Sequence, residues 1–194
     1  WQQLSKIPFL RWSKEDSEGC EAPERLYLRN QVTEAALGDQ ARFPSGSRIK
    51  LYRSLGCMEF PAVQDIISYL TDLKDMDVEV PKPEIMYPVL VRALKLEEIP
   101  TTVYAADPIV WTHKGYQAPD DIFTVARSPK LLQQAVPQIP HRKVMVDAVS
   151  ALGAPERPSD HHWAMGFRWI GQKYRRATGP ITPADRTTLR EAYG

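Results

Sequence analysis

Val63-Gln-Asp-Ile66-Ile67-Ser-Tyr-Leu70-Thr-Asp-Leu73 is the stretch on which the fold class turns. Its apolar residues Val63, Ile66, Ile67, Leu70 and Leu73 recur at i, i+3, i+4, i+7 and i+10, which lines one face of a 3.6-residue helix and leaves the other face polar. A half-buried helix follows from that spacing. Pro61 restarts the chain just before it, and Met76 to Pro83, with Pro81 and Pro83, reads as a connector after it.

Outward from this helix the three-four spacing continues on both sides. Ser47 is placed to cap a helix over Arg48 to Glu59 with Leu51, Tyr52, Leu55 and Met58 on one stripe. Downstream, Met86, Val89, Leu90, Ala93 and Leu94 predict another helix ended by Pro100, with Pro88 tolerated only in the first turn. Val103, Ala106, Val110 and Trp111 extend the pattern over Thr101 to His113, kinked at Pro108 and stopped at Gly115. Further helices are expected over Asp120 to Arg127, from Pro129 through Leu131, Leu132, Ala135 and Val136, and over Arg142 to Leu152 with its stop at Gly153.

The flanks read differently. Residues 1–23 mix aromatic and charged side chains with no apolar period, an extended arm anchored by Trp1, Phe9 and Trp12. Glu24 to Leu37 forms a first helix ending at Gly38. Residues 154–182 combine Gly166, Gly171 and Gly179 with Trp163, Phe167, Trp169 and Tyr174, an irregular aromatic-rich segment, and Thr182-Pro183 starts a last helix. The expected organisation is a first helix and arm over 1–43, a helical domain over 44–153 and a C-terminal extension over 154–194.

Composition narrows the classes. With 43% hydrophobic and 25% charged residues the 194-residue chain is an ordinary globular sequence, and its 17 prolines keep the helices short. No run of 18 apolar residues is present, so no direct membrane span is expected. A net charge of +1 gives no global field toward nucleic acid or bilayer. Residues 141–194 nevertheless hold nine Lys/Arg against five Asp/Glu, a local balance of +4. Cys20 and Cys57 belong to no metal-ligand cluster and read as two free thiols, with a disulfide as the alternative.

Pro83 and Pro119 lie 36 residues apart before similar apolar helices, the period of a helical repeat whose hairpins must stack to bury their faces. The boundary Met76-Asp-Val-Glu-Val-Pro-Lys-Pro-Glu-Ile-Met-Tyr87 resembles that of a pentatricopeptide repeat, and His113-Lys-Gly-Tyr-Gln-Ala-Pro-Asp-Asp-Ile-Phe123 resembles it again. The resemblance covers residues 44–136, with an imperfect first repeat, since Pro44 and Pro83 are 39 apart. It implies an all-α, short helix-hairpin solenoid. Proteins of that family bind single-stranded RNA through a polar residue near the start of each repeat. Here Pro88 and Thr124 fill the reading positions, and proline cannot read a base edge.

The resemblance therefore extends to small pentatricopeptide-like proteins that dock on protein, the accessory F1 subunits of euglenozoan mitochondrial ATP synthase. It implies a non-catalytic structural subunit on the matrix side of the inner membrane, with the F1 alpha subunit as a neighbour and ATP synthesis and proton transport belonging to the whole complex. A start at Trp1 fits a trimmed targeting peptide. An RNA-binding pentatricopeptide protein or mitoribosomal component is the alternative.

No chemical motif competes strongly. Asp160-His161-His162 is similar to the metal-holding triplet of the DHH phosphoesterases, but neighbouring histidines diverge rather than converge on one ion. His113 and His141 have no ligand partners at suitable spacing, and no phosphate-cradling glycine loop is present. Glu97-Glu98 and Asp120-Asp121 read as helix-end charges. No catalytic residue, cofactor or metal is therefore assigned. The candidate docking residues are Trp163, Phe167, Arg168, Trp169, Arg175 and Arg176, types enriched at interface hot spots and also able to stack bases, although packing onto the chain's own core competes with both.

Overall fold

The computed structural model describes residues 4–14, 17–124, 130–140, 143–175 and 179–193. The described residues are mostly helical, with two small antiparallel sheets of two strands each. Internal packing divides the chain into two units, Trp1–Ile99 and Pro100–Gly194. The division falls inside the expected helical domain.

The first unit opens on a hairpin, β1 (Leu10–Lys14) and β2 (Ser17–Glu21), with Leu10 opposite Glu21 and Trp12 opposite Gly19. The expected arm is thus paired strand. Glycine opposite Trp12 leaves room for the indole, since a Cβ there would sit 3.3 Å from Nε1. Leu10 and Trp12 lie over a buried cluster of Leu26, Leu28, Tyr52 and Cys57, so alternate residues of β1 face the unit.

Helix α1 (Gln31–Leu37) starts later than expected, because Pro23–Arg25 is a separate 3₁₀ turn and Leu26 to Leu28 run extended. Tyr27 sits in a parallel bridge with Met58, closed by Leu28 N–H to the Met58 carbonyl at 2.7 Å and Met58 N–H to that of Leu26 at 2.8 Å. Asn30 then caps α1 in a reciprocal box with Thr33. Gly38 ends it at φ +47°, with the Tyr69 hydroxyl packed where any Cβ would stand.

Helices α2 (Ile49–Leu55), α3 (Val63–Asp75) and α4 (Pro83–Leu96) complete the unit. The Glu97 carboxylate accepts from Val63 N–H at 2.8 Å, so the end of α4 caps the start of α3 and the two run antiparallel. Both stop alike: Val78 N–H bonds the Leu73 carbonyl and Ile99 N–H that of Leu94, around left-handed Asp77 (φ +53°) and Glu98 (φ +57°). Leu37, Ile66, Leu70, Met86, Tyr87, Leu90 and Leu94 are fully buried between α1, α3 and α4. Pro88 lies inside α4 rather than in its first turn; its missing N–H costs only the bond to the Glu84 carbonyl near the helix start, where both residues stay partly exposed.

The second unit corrects the sequence reading most. Thr101 to His113 is not a helix: after a 3₁₀ turn at Thr101–Tyr104 the chain forms a hairpin of β3 (Val110–Thr112) and β4 (Gly115–Gln117). Trp111 packs edge-on against Tyr116 across it, and Gly115 supplies φ +85°. The helix expected over Asp120 to Arg127 is a 3₁₀ turn, Pro119–Asp121, followed by extended Ile122 to Thr124; residues 125–129 lie outside the described residues. Helices α5 (Lys130–Ala135) and α6 (Lys143–Ala151) fall where expected, α6 stopping before Gly153 at φ +117°.

The segment expected to be irregular contains the longest helix described, α7 (Asp160–Arg175), and α8 (Pro183–Tyr193) follows with Thr182 as its cap. Gly166 is no helix breaker here: it faces α5, where a Cβ would meet Leu131 and Leu132 at 3.1 Å. The absent side chain lets the two helices close on each other.

Candidate functional site

α7 carries the residues to which the sequence points, and its start is fixed first. Ser159 precedes the helix, and its N–H donates to His162 Nδ1 at 3.1 Å while its hydroxyl stands 2.7 Å from the same nitrogen. The third helical residue thus returns a bond to the cap, with histidine in the role usually held by Glu or Gln. Accepting at Nδ1 places the ring proton on Nε2. His162 is 0% exposed, edge-on to Phe123 at 5.3 Å, and Nε2 has no partner of normal geometry. Burial pushes its pKa below the ordinary value, partly offset by the Ile122 backbone carbonyl.

His161 turns the other way, with Nε2 2.9 Å from Asp121 Oδ1. The two rings diverge, one inward and one to the surface. Among the described residues no group of three His, Cys, Asp or Glu side chains converges as a metal cage. The triplet is a helix-start device.

The aromatic residues divide between core and surface. Trp163, Met165 and Trp169 pack on the buried cluster of Phe123, Leu132, Ala135 and Val136, each keeping part of its surface open. Phe167 stacks on Trp163 at 6.3 Å. Arg168 and Arg175 are exposed, and Arg176 lies outside the described residues. At 100° per residue, His161, Ala164, Arg168, Gly171, Gln172 and Arg175 fall on one outward stripe, all exposed, opposite buried His162, Gly166 and Ile170.

A hub unseen in the sequence ties α7 to α8. Asp185, 6% exposed, accepts from Lys173 Nζ at 2.9 Å, Thr182 Oγ1 at 2.8 Å and the Tyr174 hydroxyl. These donors, Tyr174 first, hold its carboxyl down at about 2. Thr182 N–H donates back to the Tyr174 oxygen at 2.8 Å. Thr182 with an acid three residues on was the available signal, a capping box of the Thr-x-x-Asp type.

Charge is handled differently in the two units. In the first, Arg11 pairs with Glu18, Arg25 and Arg42 with Glu21, Arg29 with Glu34 and Arg53 with Glu59, while Arg92 lies over the Phe60 ring. A cleft of about 810 Å³ in that unit is lined by Trp12, Glu24, Arg25, Asp39, Arg42 and Asp65, its arginines paired with Glu21 and Asp65 with the Tyr27 hydroxyl. In the second unit Arg168, Arg175, Arg186 and Arg190 are exposed and have no ion pair among the described residues.

Comparison with known proteins adds no relative: no protein-family model matches the chain, and neither a curated protein nor a solved structure is similar to it. The thiols of Cys20, exposed, and Cys57, buried, are both free, and burial pushes Cys57 up to about 11. No helix among the described residues is long and apolar enough to cross a membrane.

Proposed function

We propose that this chain is a non-catalytic structural subunit that docks on protein through the outward face of α7. The observation that carries the reading is the pairing of a helix fixed on both sides with an exposed, unneutralised face. Ser159 and His162 lock its start, Asp185 locks its end, and Trp163 and Trp169 fasten it to the core. What is left to solvent is a stripe with two arginines, bordered by the partly open Phe167. Arginine and aromatic side chains on a rigid element make a pre-organised interface, since little rotamer or backbone freedom remains to be lost on binding.

The assembly we propose is a mitochondrial one, the F1 region of ATP synthase, on the matrix side of the inner membrane. The sequence resemblance at Met76 to Tyr87 supports it, since that boundary leads into α4, whereas the second boundary, His113 to Phe123, leads into a 3₁₀ turn and extended chain and adds no support. RNA is the competing partner, because arginine also meets phosphate. Against it, Trp163 and Trp169 pack on the core cluster and leave only part of each ring open, which reduces the stacking platforms that single-stranded nucleic acid uses.

Native purification of the tagged chain from mitochondria, with mass spectrometry before and after RNase treatment, tests the reading. RNase-resistant recovery with F1 alpha and beta subunits is expected. Recovery of transcripts or ribosomal proteins that RNase abolishes overturns it.

A further inference from the structure

The unpaired arginines extend beyond α7. Arg186 and Arg190 stand four residues apart on α8, one turn from each other on the same face, while Asp185, Thr188 and the half-buried Leu189 turn inward. Like charges at that spacing repel, and no carboxylate among the described residues relieves them. The one buried acid nearby, Asp185, is consumed by Lys173. Four guanidiniums on two helices joined by that hub therefore present forks of donors with no carboxylate partner among the described residues.

We propose that Arg168 and Arg175 on the outward stripe of α7 are the contact set for a carboxylate-bearing helix of a partner protein. This rests on the docking reading above and adds the partner's chemistry. Guanidinium binds carboxylate through two parallel hydrogen bonds, which makes arginine rather than lysine the residue for a specific ionic interface. Arg168 and Arg175 are two turns apart, the repeat at which a partner helix presents acids on one face. Between them Gly171 has open space where a side chain would stand, and exposed Ala164 lies a further turn back. A second helix can approach such a surface closely. Phosphate would satisfy the same donors, but single-stranded RNA also gains from open ring faces, and Trp163 and Trp169 leave only part of theirs open.

The test uses the full chain and three probes of equal length: a helical Glu/Leu peptide, its Gln/Leu counterpart and a single-stranded RNA oligonucleotide. The acidic peptide is expected to bind best, to weaken with added salt, and to lose at least tenfold in affinity when Arg168→Glu and Arg175→Glu are combined. Arg53→Glu, which disturbs a paired arginine of the first unit, is expected to change it less than twofold. Equal binding of the Gln/Leu peptide, unaffected by the charge reversals, overturns the acidic partner while leaving protein docking in place. Tighter binding of RNA overturns both, as does binding of none of the three. Circular dichroism of each variant separates lost contact from lost fold, and Arg186→Glu with Arg190→Glu is expected to weaken binding less than the α7 pair does, an equal or greater loss overturning the assignment to α7.

Discussion

The two units use arginine in opposite ways. In Trp1–Ile99 five of seven arginines meet carboxylates, Arg92 lies on a ring and exposed Arg48 alone has neither partner among the described residues, whereas none of the exposed arginines of α7 and α8 in Pro100–Gly194 has an ion pair among them. Exposed pairs of the first kind contribute little to stability, roughly 0–1 kcal/mol each. Their absence in the second unit is therefore cheap in folding terms and leaves charge available. Net charge conceals this, because +1 for the chain is the sum of −3 over residues 1–99 and +4 over residues 100–194.

The comparison breaks first if α7 is not held by the core. Phe123→Ala removes a fully buried ring from the cluster under Trp163 and Trp169 and should cost the second unit about 3–5 kcal/mol. Denaturant unfolding followed by tryptophan fluorescence checks it; a loss below about 1 kcal/mol means that the indoles are surface residues rather than anchors. In the first unit, Tyr27→Phe should cost about 1–3 kcal/mol, because the buried hydroxyl joins Asp65 and accepts from Ala62 N–H. Its loss should shift the unfolding midpoint and leave partner binding unchanged.

Acid sharpens the contrast in two separate windows. His162 is held below its ordinary 6.5, so the unfolded state binds more protons in that range. Its contribution is complete above pH 6.5, falls as pH drops toward the folded value, and should vanish from the profile of His162→Gln. Asp185 is depressed from 3.8 to about 2, so the hub is complete above pH 4 and lost as pH falls through 2. Thermal unfolding against pH separates them, and Asp185→Asn should remove only the lower step.

The smallest effect is the most discriminating. Arg53→Ala and Arg168→Ala should each change stability by less than about 1 kcal/mol, since both side chains are exposed. Only Arg168→Ala should weaken binding, by roughly twofold to fivefold for one exposed ion pair.

Legibility of the fold followed the apolar period. Val63 to Leu73 and Met86 to Leu94 each place one face on a core, and α3 and α4 stand there. Val110-Trp111-Thr112 was misread because Val103, Ala106 and Val110 imitate helical spacing over a segment rich in β-formers, with Gly115 supplying the turn. α7 was hidden by Gly166 and Gly171, which suggest loop, although Trp163, Phe167, Ile170 and Tyr174 carry the three-four spacing through them. Gly166 is explained only by Leu131 and Leu132, residues distant in sequence.

At the site, Arg168 and Arg175 were legible as charge, Trp163 and Trp169 as aromatic mass, and Arg176 lies outside the described residues. That the indoles anchor while the arginines face outward needed α7 to be seen as a helix. The Asp185 hub could be suspected from Thr182 and Asp185 alone, but Lys173 and Tyr174 join it only through the turn between helices.

Hydroxyl-radical footprinting of the chain, free and within its native assembly, tests the central claim most directly. Protection is expected at Phe167 and Gln172 on α7, with exposed Met76 and Val78 of the first unit modified equally in both states. Protection confined to the first unit, with α7 modified alike free and assembled, contradicts the account.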